Sequence, residues 1–133
     1  MLVRSEAVLG PDHPDTATTY NNLAGVYKAM GDLPSALEYF QKDLAISEAV
    51  LGSRHPDTAT TYNNIGRLYL DWNRPGEAVT WLRRALDVRE AVLGTEHPYT
   101  KGTREALGFA EMLSQLEELL GRDRLAELLA DLK

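Results

Sequence analysis

The sequence contains no cysteine. Disulfides, thiolate metal sites and a cysteine nucleophile are therefore excluded outright. It also lacks any excess of basic charge: 14 Lys and Arg stand against 20 Asp and Glu, a formal net charge of −6. That balance argues against nucleic acid as a partner, because proteins that hold a polyanion present a basic surface. Long apolar runs are missing too. No stretch approaches the roughly 18 apolar residues needed to span a bilayer, which argues against a membrane partner. The opening "MLVRSEAVLG" has neither an apolar signal core of about 7 residues nor a small-residue cleavage site, so it is read as mature, cytoplasmic protein. Catalytic signals are equally sparse: there is no Gly-rich phosphate loop, and no Ser or Asp stands beside a His with supporting geometry. No enzyme activity and no cofactor are expected. With 133 residues, 44% apolar and 26% charged, the chain has the size and composition of one globular domain.

What the sequence does have is repetition. The string "HPDTATTYNN" begins at His13 and again at His55. Residues Glu6 to Tyr27 and Glu48 to Tyr69 match at 16 of 22 positions, and a third copy opens at Glu90 with "EAVLGTEHPYT". A fixed period of 42 residues is the signature of a stacked array in which each unit buries its apolar face against the next. Within a unit, Tyr20, Leu23, Ala24 and Tyr27 fall at i, i+3, i+4 and i+7, one face of a helix. Gly31-Asp32 interrupts it. A second helical stripe follows through Leu33, Ala36, Leu37, Phe40, Leu44 and Ile46, continues to Val50 and Leu51, and stops at Gly52, a residue suited to a left-handed C-cap.

The repeated string reads as a helix start. A residue before proline is pushed out of the α region, which suits His13 and His55 to the N-cap. Pro14 and Pro56 fit the first helical position, and Asp15 and Asp57 place negative charge in the first turn, where the helix dipole favours it. A metal site built from His13, His55 and His97 is not expected. One histidine per unit places them about 10 Å apart, the spacing of packed helices, against roughly 4 Å between ligands of one ion.

A helix–turn–helix unit with these motifs resembles the tetratricopeptide repeat. The family's aromatic, Leu-Gly/Ala and Tyr positions correspond to Tyr20, Leu23-Ala24 and Tyr27, and again to Tyr62, Ile65-Gly66 and Tyr69. In the second helix Ala36 and Phe40 match, while Ala78 is followed by Leu82. The small residues at 24, 36, 66 and 78 permit close helix approach. The longer period and the "EAVLGxxHPDTATTYNNLA" form are similar to the kinesin light chain subtype. The resemblance implies an all-α fold, a right-handed superhelical array of antiparallel helix pairs (an α-solenoid), over residues 1–133. Residues 1–9 align with the end of a second helix whose partner is missing, as in a piece of a longer array. Unit one spans 13–54 and unit two 55–96. Residues 97–133 form a degenerate third unit with a C-terminal capping helix: Arg104 replaces the aromatic, Glu111 the Tyr and Leu120 the small Ala. In "SQLEELLGRDRLAELLADLK" the leucines at 125, 128, 129 and 132 lie at helical spacing. Gly121 either breaks this segment from the preceding helix or is absorbed; both readings stay open.

The resemblance also implies that the first helices line a concave surface that binds an extended or helical peptide or a partner segment. Opposite the core stripe stand Thr18, Asn21, Gly25 and Lys28. Their counterparts are Thr60, Asn63, Arg67 and Leu70, then Gly102, Glu105, Phe109 and Met112. Asn21 and Asn63 would occupy the positions that bond a ligand's backbone, since one amide offers both donors and an acceptor. The competing reading has Asn22 and Asn64 as the contacting pair, or bonding only between helices. Lys28, Arg67, Lys101 and Arg104 could make the groove locally basic, with Glu105 working against it. Phe109, Met112 and Leu113 are either a hydrophobic pocket or core covered in part by the terminal helix. A rival function is self-assembly into a homo-oligomer through the array edges, using Leu125, Leu128, Leu129 and Leu132.

Overall fold

A computed structural model describes residues 13–132. Every element in it is helical: α1 Pro14–Ala29, α2 Leu33–Leu51, α3 Pro56–Asp71, α4 Pro75–Leu93, α5 Pro98–Leu120 and α6 Arg122–Asp131. Successive helices pack as antiparallel neighbours, giving an α-solenoid. The expected helix end at residues 1–9 lies outside the described residues.

Local chemistry sets the boundaries. His13, His55 and His97 are extended N-caps, and each Nδ1 accepts the backbone N–H two residues on, at 3.0 Å. An imidazole nitrogen thus does the work usually given to a hydroxyl or carboxylate. Between α1 and α2 the chain turns at Gly31 (φ 83°), and between α3 and α4 at Asn73 (φ 57°). The third unit carries Gln115 at that register, a good helix former with no preference for the left-handed region. The turn is therefore lost, and α5 runs on to 23 residues. Gly121 (φ 84°) supplies the break instead, which decides the question left open by the sequence.

The core follows the two helical stripes. Ala24, Ala36, Phe40, Leu44, Tyr62, Ile65, Leu68 and Ala85 form one buried cluster across α1 to α4, and Ala78, Leu82, Leu107 and Ala110 continue it into α5. Tyr20 packs with Ala17 and Ile46, and Tyr27 stacks on Tyr39 at 5.5 Å. Closest approach occurs at Gly66, where an added Cβ would lie 2.6 Å from Leu82 Cγ. Unit one has Ala24 at the equivalent position of α1, so the two helix pairs are packed to different depths.

Candidate functional site

Where α1 and α3 run side by side over α2, their N-terminal halves leave a cradle of about 240 Å³. Pro14, Thr18 and Asn21 form one wall, Asp57, Thr60 and Thr61 the other, with Asp43, Ile46, Ser47 and Val50 as floor. One unit on, α3 and α5 leave a cradle of about 360 Å³ over α4. Its walls are the 42-residue counterparts: Thr60 and Asn63 with Asn64 and Arg67 on one side, Tyr99, Gly102 and Thr103 on the other, and Arg89 below. Thr60 belongs to both cradles, facing one from each side of α3.

The floors differ in charge. Asp43 is buried, and its oxygens accept from Ser47 Oγ (3.1 Å) and Thr61 Oγ1 (3.0 Å). Burial raises its pKa from the ordinary 3.8, against the two hydroxyl donors that lower it. Arg89, 6% exposed, donates through Nη1 to Thr103 Oγ1 (2.6 Å) and the Tyr99 carbonyl (3.3 Å), and through Nη2 to Thr60 Oγ1 (3.2 Å). Its guanidinium lies 5.3 Å from the Tyr99 ring centroid. Its buried Nε has no partner among the described residues. Burial, then the neighbouring Arg67 charge, lower the Arg89 pKa, yet an arginine stays charged at neutral pH.

These bonds fix the asparagines. Arg89 can only donate, so Thr103 Oγ1 accepts from it and gives its own hydrogen to Asn63 Oδ1 at 3.0 Å. Asn63 is consequently held at 8% exposure; it lines the cradle while its oxygen is drawn into the helix interface. Its Nδ2 has no protein partner among the described residues. Asn64 Nδ2 donates to Asn21 Oδ1 at 3.2 Å, so Asn64 does bond between helices, and Asn21 is half-buried with its oxygen engaged. Both Asn21 and Asn63 therefore keep their amide N–H donors available. Asn22 is exposed and outside both cradles.

Of the four cations expected in the groove, three are neutralised. Lys28 pairs with Asp71 (3.3 Å), Lys101 with Glu96 (3.8 Å) and Arg104 with Glu90 (3.6 Å). Only Arg67 has no carboxylate partner among the described residues, and its Nη2 lies beside Gly102. Leu70 is a correction: it packs on the Ala78–Leu107 core, and the terminal helix, not open space, lies across it. Thr18 and Thr60 are exposed wall residues. Glu105 is exposed but lines neither cradle.

At the far end, Leu125 is buried and Leu129 lines a small cavity with Leu70, Pro75 and Leu113, so α6 covers the third unit. Leu113 is core, whereas Phe109 and Met112 remain about half exposed. Leu128 (41%) and Leu132 (82%) face outward, and two of the four leucines therefore take no part in the cap.

Asp43 and Arg89 were not singled out in the sequence. Little in the sequence marks them out: the second helices of units one and two differ at most positions between 33–47 and 75–89, and Asp43/Ser47 against Ala85/Arg89 are two of those differences, one helical turn apart on the same face.

The described helices include none long and apolar enough to cross a membrane. Comparison with known proteins agrees with the geometry. The family model for the tetratricopeptide repeat matches residues 2–49 and 15–91. Protein KINESIN LIGHT CHAIN-RELATED 2 of Arabidopsis thaliana is 53% identical over 36 residues, 27% of this chain and 5% of that protein. A Podosopora anserina kinesin light chain protein with nearly identical TPR-like repeats superposes with a TM-score of 0.79 at 24% identity, over 98% of this chain and 62% of its own. BtubC from P. vanneervenii gives 0.78 at 24% identity, over 96% and 52%. The chain thus spans less than two thirds of each of these relatives.

Proposed function

The chain belongs to the tetratricopeptide repeat family, generally a module for protein–protein interaction, and on that premise we propose that it is a non-catalytic module holding a peptide or partner segment along the cradles between α1, α3 and α5. One observation carries the reading. The amide oxygens of Asn21 and Asn63 are committed to Asn64 and Thr103, which leaves their N–H groups as donors along one face. A row of donors suits the carbonyls of an extended backbone. Each such bond is worth only about 0.5–1.5 kcal/mol net, so the apolar side chains beside Asp43 in the floor of the first cradle, Ile46 and Val50, supply contact area as well. Asn21 is the residue on which the reading is best tested, because it is half-buried with a single part-buried bond, whereas Asn63 is buried in the Thr103–Arg89 network.

The experiment is selection of peptides from a displayed library, followed by mapping of the selected peptide by NMR. Signals of Asn21, Asn64 and Thr60 should move, and Asn21→Ala should weaken binding by about three- to tenfold while the lost Asn64 bond costs no more than about 1 kcal/mol of stability. Perturbation confined to the opposite side, around Glu48, Arg54 and Arg84, would overturn the reading.

A further inference from the structure

Arg89 is a buried cation without a counter-ion among the described residues. Its three hydrogen bonds go to two hydroxyls and a carbonyl, all neutral. Taking a guanidinium out of water onto neutral acceptors alone is unfavourable. A second guanidinium, Arg67, lines the same cavity and also has no carboxylate partner among the described residues. Like charges converge here although the chain as a whole carries a net charge of −6. Elsewhere on this face the cations have found acids: Lys28, Lys101 and Arg104 are each paired.

We propose that the cradle between α3 and α5 is an oxyanion subsite, taking a carboxylate or phosphate group between Arg67 and Arg89. The proposal deepens the groove reading and rests on it for the source of the group, an acidic or phosphorylated side chain of the bound segment. The donors are complementary to such a group. Of the five N–H bonds of Arg89, three are used and the Nε–H is sealed in the interior, so the anion meets the remaining Nη2 hydrogen at the cavity side. Arg67 offers an uncommitted planar fork, the geometry that matches carboxylate and phosphate oxygens in pairs. The Asn63 amide has its oxygen turned to Thr103 and its N–H groups left over. Gly102 keeps the opposite wall low: the place of its missing Cβ is 3.9 Å from Arg67 Nη2. The first cradle cannot do the same, since its floor is the Asp43 carboxyl.

The test uses the chain itself, with sodium phosphate and sodium acetate as probes and sodium chloride at matched ionic strength as the control. The readout is the Nε–H signal of Arg89 by NMR. Phosphate and acetate should each give a saturable shift that chloride does not. Arg67→Gln, an exposed position, should weaken that affinity about tenfold. The paired exchange Ala85→Asp with Arg89→Ser, which writes the floor of unit one into unit two, should abolish anion binding, followed then on the Gly102 amide, while the chain still unfolds cooperatively. A shift that chloride reproduces, or an affinity unchanged in Arg67→Gln, overturns the proposal. Selected peptides separate the two readings. If they bind the groove but are indifferent to Glu→Gln or phosphoserine changes, and the probes give no saturable shift, the subsite fails and the groove stands. If phosphate or acetate binds while no peptide does, the subsite stands and the groove reading fails. A larger gain from phosphoserine than from Glu identifies phosphate as the source.

Discussion

The cradle over α2 and the cradle over α4 stand on the same helical frame and differ most in the charge of their floors. Thr61 and Thr103 occupy the same place in successive units, yet Thr61 donates to a carboxylate and Thr103 accepts from a guanidinium. A hydroxyl can do either, because it carries one hydrogen and two lone pairs and rotates to suit its neighbour. The copied wall therefore tolerates a reversal of charge beneath it. The consequence spreads sideways. Where Thr103 accepts from Arg89 its own hydrogen is left for Asn63, which is pulled into the interface; where Thr61 gives its hydrogen to Asp43, Asn21 turns instead to Asn64. Repetition of the first helices sets the hydrogen-bonding frame, and the divergent second helices beneath them set its polarity.

The comparison can be broken most forcefully at Arg89. Arg89→Ala removes the shared partner of Thr60, Thr103 and the Tyr99 carbonyl and opens a void between three helices. A loss of about 2–4 kcal/mol is expected in urea unfolding; a loss below about 1 kcal/mol would show that the second floor is not held by this residue. Packing offers the next contrast. Gly66→Ala should destabilise by about 1–3 kcal/mol, because the new Cβ meets the Leu82 side chain near its branch point and outweighs the better helix propensity of alanine. The reverse change at the matching site, Ala24→Gly, should lose about 1 kcal/mol from backbone entropy and a lost methyl contact. Thermal unfolding of both variants shows whether the two helix pairs differ in depth as described.

The smallest effect sharpens the comparison from the acidic side. Asp43 has a folded-state pKa raised by burial, so the native state holds its proton to higher pH than the unfolded chain does. Ionisation penalises folding above that raised value, and the penalty vanishes below the ordinary 3.8. Asp43→Asn keeps a carbonyl oxygen for one hydroxyl and offers an N–H to the other. It should match or exceed the native chain by up to about 1 kcal/mol at pH 7 and lose that advantage near pH 3. A variant less stable at pH 7 than at pH 3, each relative to the native chain, would reverse the sign assigned here.

The 42-residue period, the helix pairs, their starts at His-Pro and the small residues at 24, 36, 66 and 78 were all legible in the sequence, because each rests on local rules: periodicity, proline geometry, glycine punctuation. Groove residues were legible only in part. Thr18, Thr60 and Arg67 stand where helical phase puts them. Leu70 shares that phase on paper, but by the last turn of α3 the neighbour across the face is the terminal helix rather than open space. Asn63 has the phase of Asn21, and only its partner forty residues on distinguishes them. Charge was the least legible, since a count of Lys and Arg cannot show that Lys28 finds Asp71 or that Arg89 finds no acid among the described residues.

Alone, then, the sequence determined the architecture of this protein, for the repeat writes the same short-range preferences into each unit and stacking follows from their apolar faces. The tertiary structure decided which side chains face the groove, which are withdrawn, and which charges remain unbalanced there. Those outcomes depend on pairs of residues 14 to 43 positions apart, and their energies arise only when packing excludes water from between them.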